Sequence, residues 1–493
     1  MHRHGGTVDA ILTAVTARTT RRGFGTAAAF TALGAALPTS DAKAQSEPGF
    51  PKGFRWGTAT SSYQVEGAVH EDGRGVSIWD SFAREPGRIH DGSNGDVSTD
   101  HYHRYKEDVA LMKTMGADVY RFSIAWPRVF PDGLGAPNPK GLAFYDRLVD
   151  ELLAQGIEPF ATLYHWDLPQ ALQNRGGWEK RATAEVFANY AGYVASKLGD
   201  RVRRFFTLNE ISTFVELGHG AGIFAPGLKL ELKSLNQVRH HAVLAHGLAV
   251  QAIRANGRPT TEVGMAENVA AALPAIETPE NIRAAEVAMR ELNAGYLTVM
   301  MEGRYTDAFL AQAAANAPVF TDAELKAIAS PVDFVGINVY TPSAYVLASD
   351  KAPGYQALPL DDSYPHMASP WLKLGPEVLY WAPRHVAKIW NAKTLYITEN
   401  GTSATDQPAA DGAIYDTDRV MYLRNCLGHL RRATDEGVPV RGYFLWSLLD
   451  NFEWVDGYAT RFGLVHVDYK TLKRTPKLSA AFYREVIARN AVA

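Results

Sequence analysis

The stretch RFFTLNE, residues 204–210, runs through apolar and aromatic residues as a core strand does, then stops on Asn209 and Glu210. A carboxylate ending a buried strand is costly unless the strand ends where polar groups are wanted. Seven further runs share its character: FRWGTAT (54–60), DVYRFSIAW (118–126), EPFATLYHW (158–166), EVGMAEN (262–268), DFVGINVY (333–340), TLYITEN (394–400) and VRGYFLWSL (440–448). Segments with helical periodicity separate them. In YDRLVDELLAQG (145–156) the spacing predicts Leu148, Leu152 and Leu153 on one face and Gly156 as the stop. Apolar strands alternating with helices imply a parallel sheet covered by helices, and eight such units fit a single α/β domain, a (β/α)8 TIM barrel over residues 45–493. A minimal barrel needs about 250 residues, so the remainder is expected in long insertions after the strands. Long intervals follow strands one and six. The second contains YQALPLDDSYPHMASPW (355–371), whose prolines and aspartates predict an irregular loop.

Several strands finish on groups that hydrogen-bond or stack: His165 and Trp166, Asn209 and Glu210, Glu267 and Asn268, Asn338 and Tyr340, Glu399 and Asn400. In such a barrel the C-terminal strand ends form the face where active sites are built, so these groups are expected to converge on one pocket. Glu210 and Glu399, ending strands four and seven, would face each other across it, as an acid and a nucleophile must on either side of one bond. Paired carboxylates also hold magnesium, so the residues alone leave the reaction open.

Composition narrows the partner. The chain has 493 residues, 46% of them hydrophobic and 11% aromatic, enough for a large core and far from a disordered composition. Lys plus Arg is 50 against 53 Asp plus Glu, and no basic run stands out, which argues against a nucleic-acid partner or an anionic membrane surface and favours a neutral small molecule. The one cysteine, Cys426, cannot form an intramolecular disulfide and is expected to be a small buried hydrophobe. His101 and His103 in DHYHRY (100–105) are spaced as some metal ligands are, but are read as structural.

Six ordered blocks make the sequence recognisable: GFRWGTATSSYQVEGA (53–68), RFSIAWPRVFPDG (121–133), TLYHWDLPQAL (162–172), TLNE (207–210), YITENG (396–401) and WSLLDNFEWVDGY (446–458). They resemble the motifs of glycoside hydrolase family 1, the β-glucosidase family, from about Phe50 to about Tyr483. The resemblance implies a retaining β-glycosidase, most readily a β-glucosidase acting on terminal non-reducing β-D-glucosyl residues of β-glucosides or short β-gluco-oligosaccharides. A β-galactosidase, β-fucosidase or mixed-specificity enzyme of the same family is the alternative. It implies Glu399 as nucleophile, Glu210 as acid/base, Arg121 beside the nucleophile and Tyr340 as its hydrogen-bond partner. Gln64, His165, Asn209, Trp446, Glu453 and Trp454 are expected at the sugar subsite. Trp166, Asn338 and Phe462 are expected beside it, and Trp371 toward the aglycone, although the sequence around Trp371 departs from the commoner spacing. No cofactor and no metal are expected.

The residues argue against two further readings. A metal-dependent barrel hydrolase would want an HxH at the end of strand one, which here reads TAT (58–60). A non-catalytic sugar-binding protein would have lost one of the two carboxylates. Glu453 with Trp454 argues against the 6-phosphoglycosidase branch of the family, and Glu210 against myrosinases, which carry Gln there. Finally, TTRRGFG (19–25) sets Arg21 and Arg22 before the apolar run from Phe24 to Leu37, which is too short to span a bilayer, and Ala42 and Ala44 follow in an A-x-A arrangement. This resembles a twin-arginine signal peptide over residues 1–44, and predicts a periplasmic or secreted protein with no membrane anchor after cleavage.

Overall fold

The computed structural model describes residues 49–493; the signal peptide expected over residues 1–44 lies outside them. Eight parallel strands close into a barrel in the order β1-β8-β7-β6-β5-β4-β3-β2. They are β1 (Arg55–Ala59), β2 (Val119–Ser123), β3 (Glu158–Tyr164), β4 (Arg204–Asn209), β5 (Glu262–Asn268), β6 (Phe334–Asn338), β7 (Leu395–Asn400) and β8 (Val440–Trp446). Each lies inside one of the eight apolar runs, so the (β/α)8 barrel is the fold. The pairing of Gly57 with Val119 and of Ala59 with Trp446 closes the ring on the two sides of β1.

The lumen is packed, not open. Phe160, Phe206, Phe334, Tyr396 and Phe444 interlock across it with ring centroids 5.1 to 6.2 Å apart. Below this aromatic plug Arg204 lies over the Phe160 ring and pairs with Glu158 and Glu262, so the strand starts end in paired charges. Above it the Arg121 guanidinium sits 5.1 Å from the Phe206 centroid, and there the polar end of the barrel begins.

Helices shield the outside. In the helix Pro139–Ala154 the buried stripe is Leu142, Tyr145, Leu148, Val149 and Leu152, and Gly156 follows with φ +74°. Leu153 is 42% exposed and does not join that face, because one residue past Leu152 turns the side chain by roughly 100° toward solvent. The insertion after β6 is also more regular than expected. Tyr355–Leu358 is a strand antiparallel to Ala344–Ala348, which in turn pairs with Ala272–Pro274 from the insertion after β5. A shared sheet thus ties the two insertions together beside the barrel mouth. Among the described residues no helix is long and apolar enough to cross a membrane.

Register slips mark the strand ends that matter. β7 slips against both neighbours next to Glu399, and β4 slips against β5 between Phe206 and Asn209. Such irregularities re-aim the side chains that follow them. Here those side chains are the two carboxylates.

Candidate active site

Glu399 is 3% exposed and both its oxygens are engaged. Arg121 donates to Oε1 at 2.6 Å, and the Tyr340 hydroxyl donates to Oε2 at 2.7 Å. Arg121 is itself immobilised: its Nε donates to Thr162, Nη1 also reaches the Thr398 carbonyl, and Nη2 donates to Asn209 Oδ1 at 2.5 Å. Burial pushes the Glu399 pKa above its ordinary value, while the Arg121 charge and the Tyr340 hydroxyl pull against that rise.

Glu210 is 6% exposed and has neutral company. The Asn338 amide donates to Oε1 at 2.8 Å and, at 3.0 Å, to Asn209 Oδ1. Burial and the Glu399 charge raise Glu210 to about 8. Both groups are lifted by burial, but the guanidinium sits on Glu399, so the proton belongs on Glu210 at neutral pH.

A continuous hydrogen-bonded path links the two: Glu399 to Arg121, Arg121 to Asn209, Asn209 to Asn338, Asn338 to Glu210. A branch leads to His165, whose Nε2 lies 3.1 Å from Asn209 Nδ2. Burial and the Arg121 charge hold His165 well below its ordinary pKa, so the imidazole is neutral. With Nε2 accepting from the amide, the ring proton sits on Nδ1.

Aromatic rings wall the adjoining space. His165 stacks between Trp446, at 5.7 Å, and Trp454, at 5.9 Å. Trp166 lies behind Trp454 at 4.5 Å and donates its indole N–H to the Asn209 carbonyl, so it braces the site from one layer back. Gln64 is fully buried; Ser61 donates to its oxygen, and its amide faces Asn451, the Phe452 carbonyl and, at 3.4 Å, Glu453. Burial and the charges of Asp456, Glu399 and Glu210 raise the Glu453 pKa well above its ordinary value. On the opposite side Phe462 sits 6.2 Å from Tyr340, and the half-exposed Trp371 ring lies beside both. Trp371 therefore stands at the mouth on the side of Tyr340.

All thirteen residues expected at the site lie at this end of the barrel, but not every polar strand end there turns into the pocket. Asn400 is spent on the Val339 carbonyl and the hydroxyls of Tyr422 and Tyr443. Asn268 is exposed and donates to Thr213. Glu267 turns away from the pocket to backbone amides of residues 211 and 212. The expectation that these strand ends all aim at one pocket is thus corrected for three of them. Residues that the sequence left unremarked contribute instead. Thr398 donates to Asn338 Oδ1 at 2.6 Å, Thr162 supports Arg121, and Asn451 contacts Gln64. All three lie inside quoted blocks, Asn451 in WSLLDNFEWVDGY, Thr398 in YITENG and Thr162 in TLYHWDLPQAL, but the threonines do not stand out there, since threonine is an ordinary strand residue.

His101 and His103 diverge. His101 is buried against Asp108, which also takes Arg474, while His103 meets Asp100 and Glu71 at the surface. Among the described residues no cluster of three His, Cys, Asp or Glu side chains is arranged to hold a metal ion. Cys426 is buried, and burial raises its thiol to about 12, as for an inert core residue.

Residues 46–492 match the profile of Glycosyl hydrolase family 1. The chain is 43% identical over 444 residues to Beta-glucosidase A of Acetivibrio thermocellus, covering 90% of this chain and 98% of that one. It is 41% identical over 443 residues to Beta-glucosidase A of Thermotoga maritima, with the same coverage. The solved Beta-glucosidase from Thermotoga maritima in complex with glucoimidazole superposes with a TM-score of 0.83 at 40% identity, over 90% of this chain and 100% of that one.

Proposed function

The chain belongs to glycosyl hydrolase family 1, and from that premise we propose how its residues divide the work of a retaining β-glucosidase. The enzyme cleaves terminal β-D-glucosyl residues by double displacement. In the first step an oxygen of ionised Glu399 bonds to the anomeric carbon as the glycosidic C–O bond breaks, and the proton of Glu210 passes to the departing oxygen. In the second, water attacks the same carbon and gives its proton to Glu210. The bond to Glu399 breaks, and β-glucose leaves.

The observation that carries this assignment is the unequal company of the two carboxylates. Arg121 and Tyr340 hold Glu399 as an anion ready to attack, whereas Glu210, raised to about 8 by burial and by Glu399, keeps a proton to donate. Once Glu399 is esterified its charge disappears, the pKa of Glu210 falls, and the acid becomes the base.

Gln64, His165, Asn209 and Glu453 supply the donors and acceptors that a sugar's hydroxyls require. Trp446 and Trp454 supply flat surface for its C–H face, and Asn209, between Arg121 and His165, is placed in chain order to meet the hydroxyl next to the reacting carbon. Trp371, half exposed beside Tyr340 and Phe462, is assigned to the aglycone. Trapping tests the assignment: a 2-deoxy-2-fluoro β-glucoside with a 2,4-dinitrophenolate leaving group should inactivate the enzyme and label the peptide containing Glu399. A label on another residue, or none, overturns it.

The paired arginines 21 and 22 and the alanines at 42 and 44 support export through the twin-arginine route with cleavage after Ala44, to a periplasmic or secreted location. Amino-terminal sequencing of the protein recovered from its producing cells would start at Gln45; an intact N-terminus overturns this.

A further inference from the structure

Glu267 is a third buried carboxylate at the C-terminal ends of the strands, 1% exposed, with no part in the steps above. Its Oε2 accepts from the Ile211 amide at 2.9 Å, and its Oε1 accepts from the Ser212 amide at 3.0 Å and the Ser212 hydroxyl at 2.7 Å. These two amides immediately follow Glu210. The amide of Glu210 donates to the Ala266 carbonyl at 2.7 Å. The end of β5 therefore grips the chain on both sides of Glu210.

The backbone at Glu210 makes that grip meaningful. Glu210 has φ 47° and ψ 67°, in the left-handed region that a non-glycine residue enters at a cost of order 1–3 kcal/mol and keeps only when its surroundings impose it. Glu210 also occupies the position just before the helix Ile211–Val215, from which a side-chain oxygen can fold back to cap the free amides of the first turn. It does not do so here: its side chain makes no cap, and its Oε1 takes the Asn338 amide in the pocket.

We propose that Glu267 is a positioning residue for the acid/base step: by capping the helix that Glu210 would otherwise cap itself, it turns the Glu210 carboxyl into the pocket. The proposal rests on the reading of Glu210 as acid/base. When ionised, Glu267 also adds to the rise in the Glu210 pKa, after burial and Glu399, while burial lifts Glu267 itself to about 7. Ser212, partly exposed, completes the cap with its hydroxyl.

The test is the leaving-group dependence of kcat/KM, which reports the glycosylation step. Glu267→Gln keeps the shape but sets an NH2 against a backbone N–H. It should lower kcat/KM for phenyl β-glucoside, which needs a proton, by about 10- to 100-fold, a part of the roughly 10^2- to 10^4-fold that general acid catalysis supplies. The same variant should change kcat/KM for 2,4-dinitrophenyl β-glucoside, which departs unassisted, by less than about 3-fold. An equal fall for both substrates, or no fall for either, overturns the proposal. Ser212→Ala, which removes one contact and disturbs the core less, should show the same bias at about 2- to 5-fold. If Glu267→Gln does not fold, that variant decides alone, and absence of bias overturns the proposal. Glu210→Ala run in parallel separates the two readings: without a strong leaving-group bias of its own, the acid/base assignment fails and the positioning role falls with it.

Discussion

Two buried charge clusters, one in the chain after β7 and β8 and one at the C-terminal ends of the barrel strands, are built on opposite rules. In one, Asp406, Asp416 and Asp450 meet Arg419, Lys477 and Arg461. Arg419 bonds Asp406 through two nitrogens and also Asp416, Lys477 bridges Asp406 and Asp450 at 2.6 Å each, and Arg461 bonds Asp450. Three negative charges face three positive ones. In the other, Glu210, Glu399 and Glu453 share the pocket with the single guanidinium of Arg121. The balanced cluster binds the chain after β7 to the chain after β8 and has nothing left over. The unbalanced one cannot be satisfied while all its carboxyls are ionised, so it stores a proton where the chemistry uses one. The lesson is that charge imbalance, rather than burial or hydrogen bonding as such, separates the reactive cluster from the structural one.

That contrast can be broken at either end. The largest effect is expected from Glu399→Gln, which deletes the nucleophile and should lower kcat by at least about 10^4-fold. Retention of substantial turnover would place the nucleophile elsewhere. Lys477→Met does the reverse: it leaves Asp406 and Asp450 without their shared cation, and should cost about 3–5 kcal/mol of unfolding free energy, with kcat preserved at temperatures where the variant is folded. Denaturant titration beside kinetics distinguishes the two, and a lost kcat with unchanged stability would dissolve the distinction.

A smaller effect is expected from Tyr340→Phe, which removes a hydrogen bond to a charged carboxylate worth about 1.5–3 kcal/mol, or roughly 10- to 100-fold in kcat/KM. Because that donor favours the ionised form of Glu399, its loss should also move the acidic limb of the pH profile upward.

The mildest probe is pH itself. Activity should fall as pH rises through about 8, where Glu210 loses the proton it must donate. It should fall again on the acid side as Glu399, held above its ordinary value by burial, takes one up. Asp406 behaves oppositely: burial raises it, but Arg419 and Lys477 outweigh that and hold it below its ordinary value. A depressed carboxyl lends stability that is complete above the unfolded pKa and disappears as pH drops through the folded one. Activity should therefore be lost reversibly on acidification before Tm collapses; simultaneous loss would argue against separate clusters.

The sequence made the barrel legible because each strand is an apolar run long enough to stand out, and it made Glu210 and Glu399 legible because a carboxylate at such an end is chemically conspicuous. It could not show where each polar strand end points. Glu399, Glu267 and Asn400 all stand near the tips of strands, yet only the first enters the pocket. The aim of a side chain turns on a slip of one residue, as beside Glu399 in β7, and a slip leaves no trace in composition. Leu153 teaches the same point on a helix, where one position separates core from solvent. Thr398 and Thr162 were illegible for another reason: their work is to fix the orientation of neighbours, which only the assembled barrel defines.

The Thr398 hydroxyl gives the pocket a handedness for protons. By donating to the Asn338 oxygen it prevents that amide from turning over, so the NH2 side always faces Glu210 and bonds Oε1. An oxygen that receives an N–H does not also present its own hydrogen along that line. The Glu210 carboxyl is thereby held in one orientation, from which it meets the departing glucoside oxygen. A single threonine hydroxyl on β7 thus steadies, through Asn338, the way the proton donor is held.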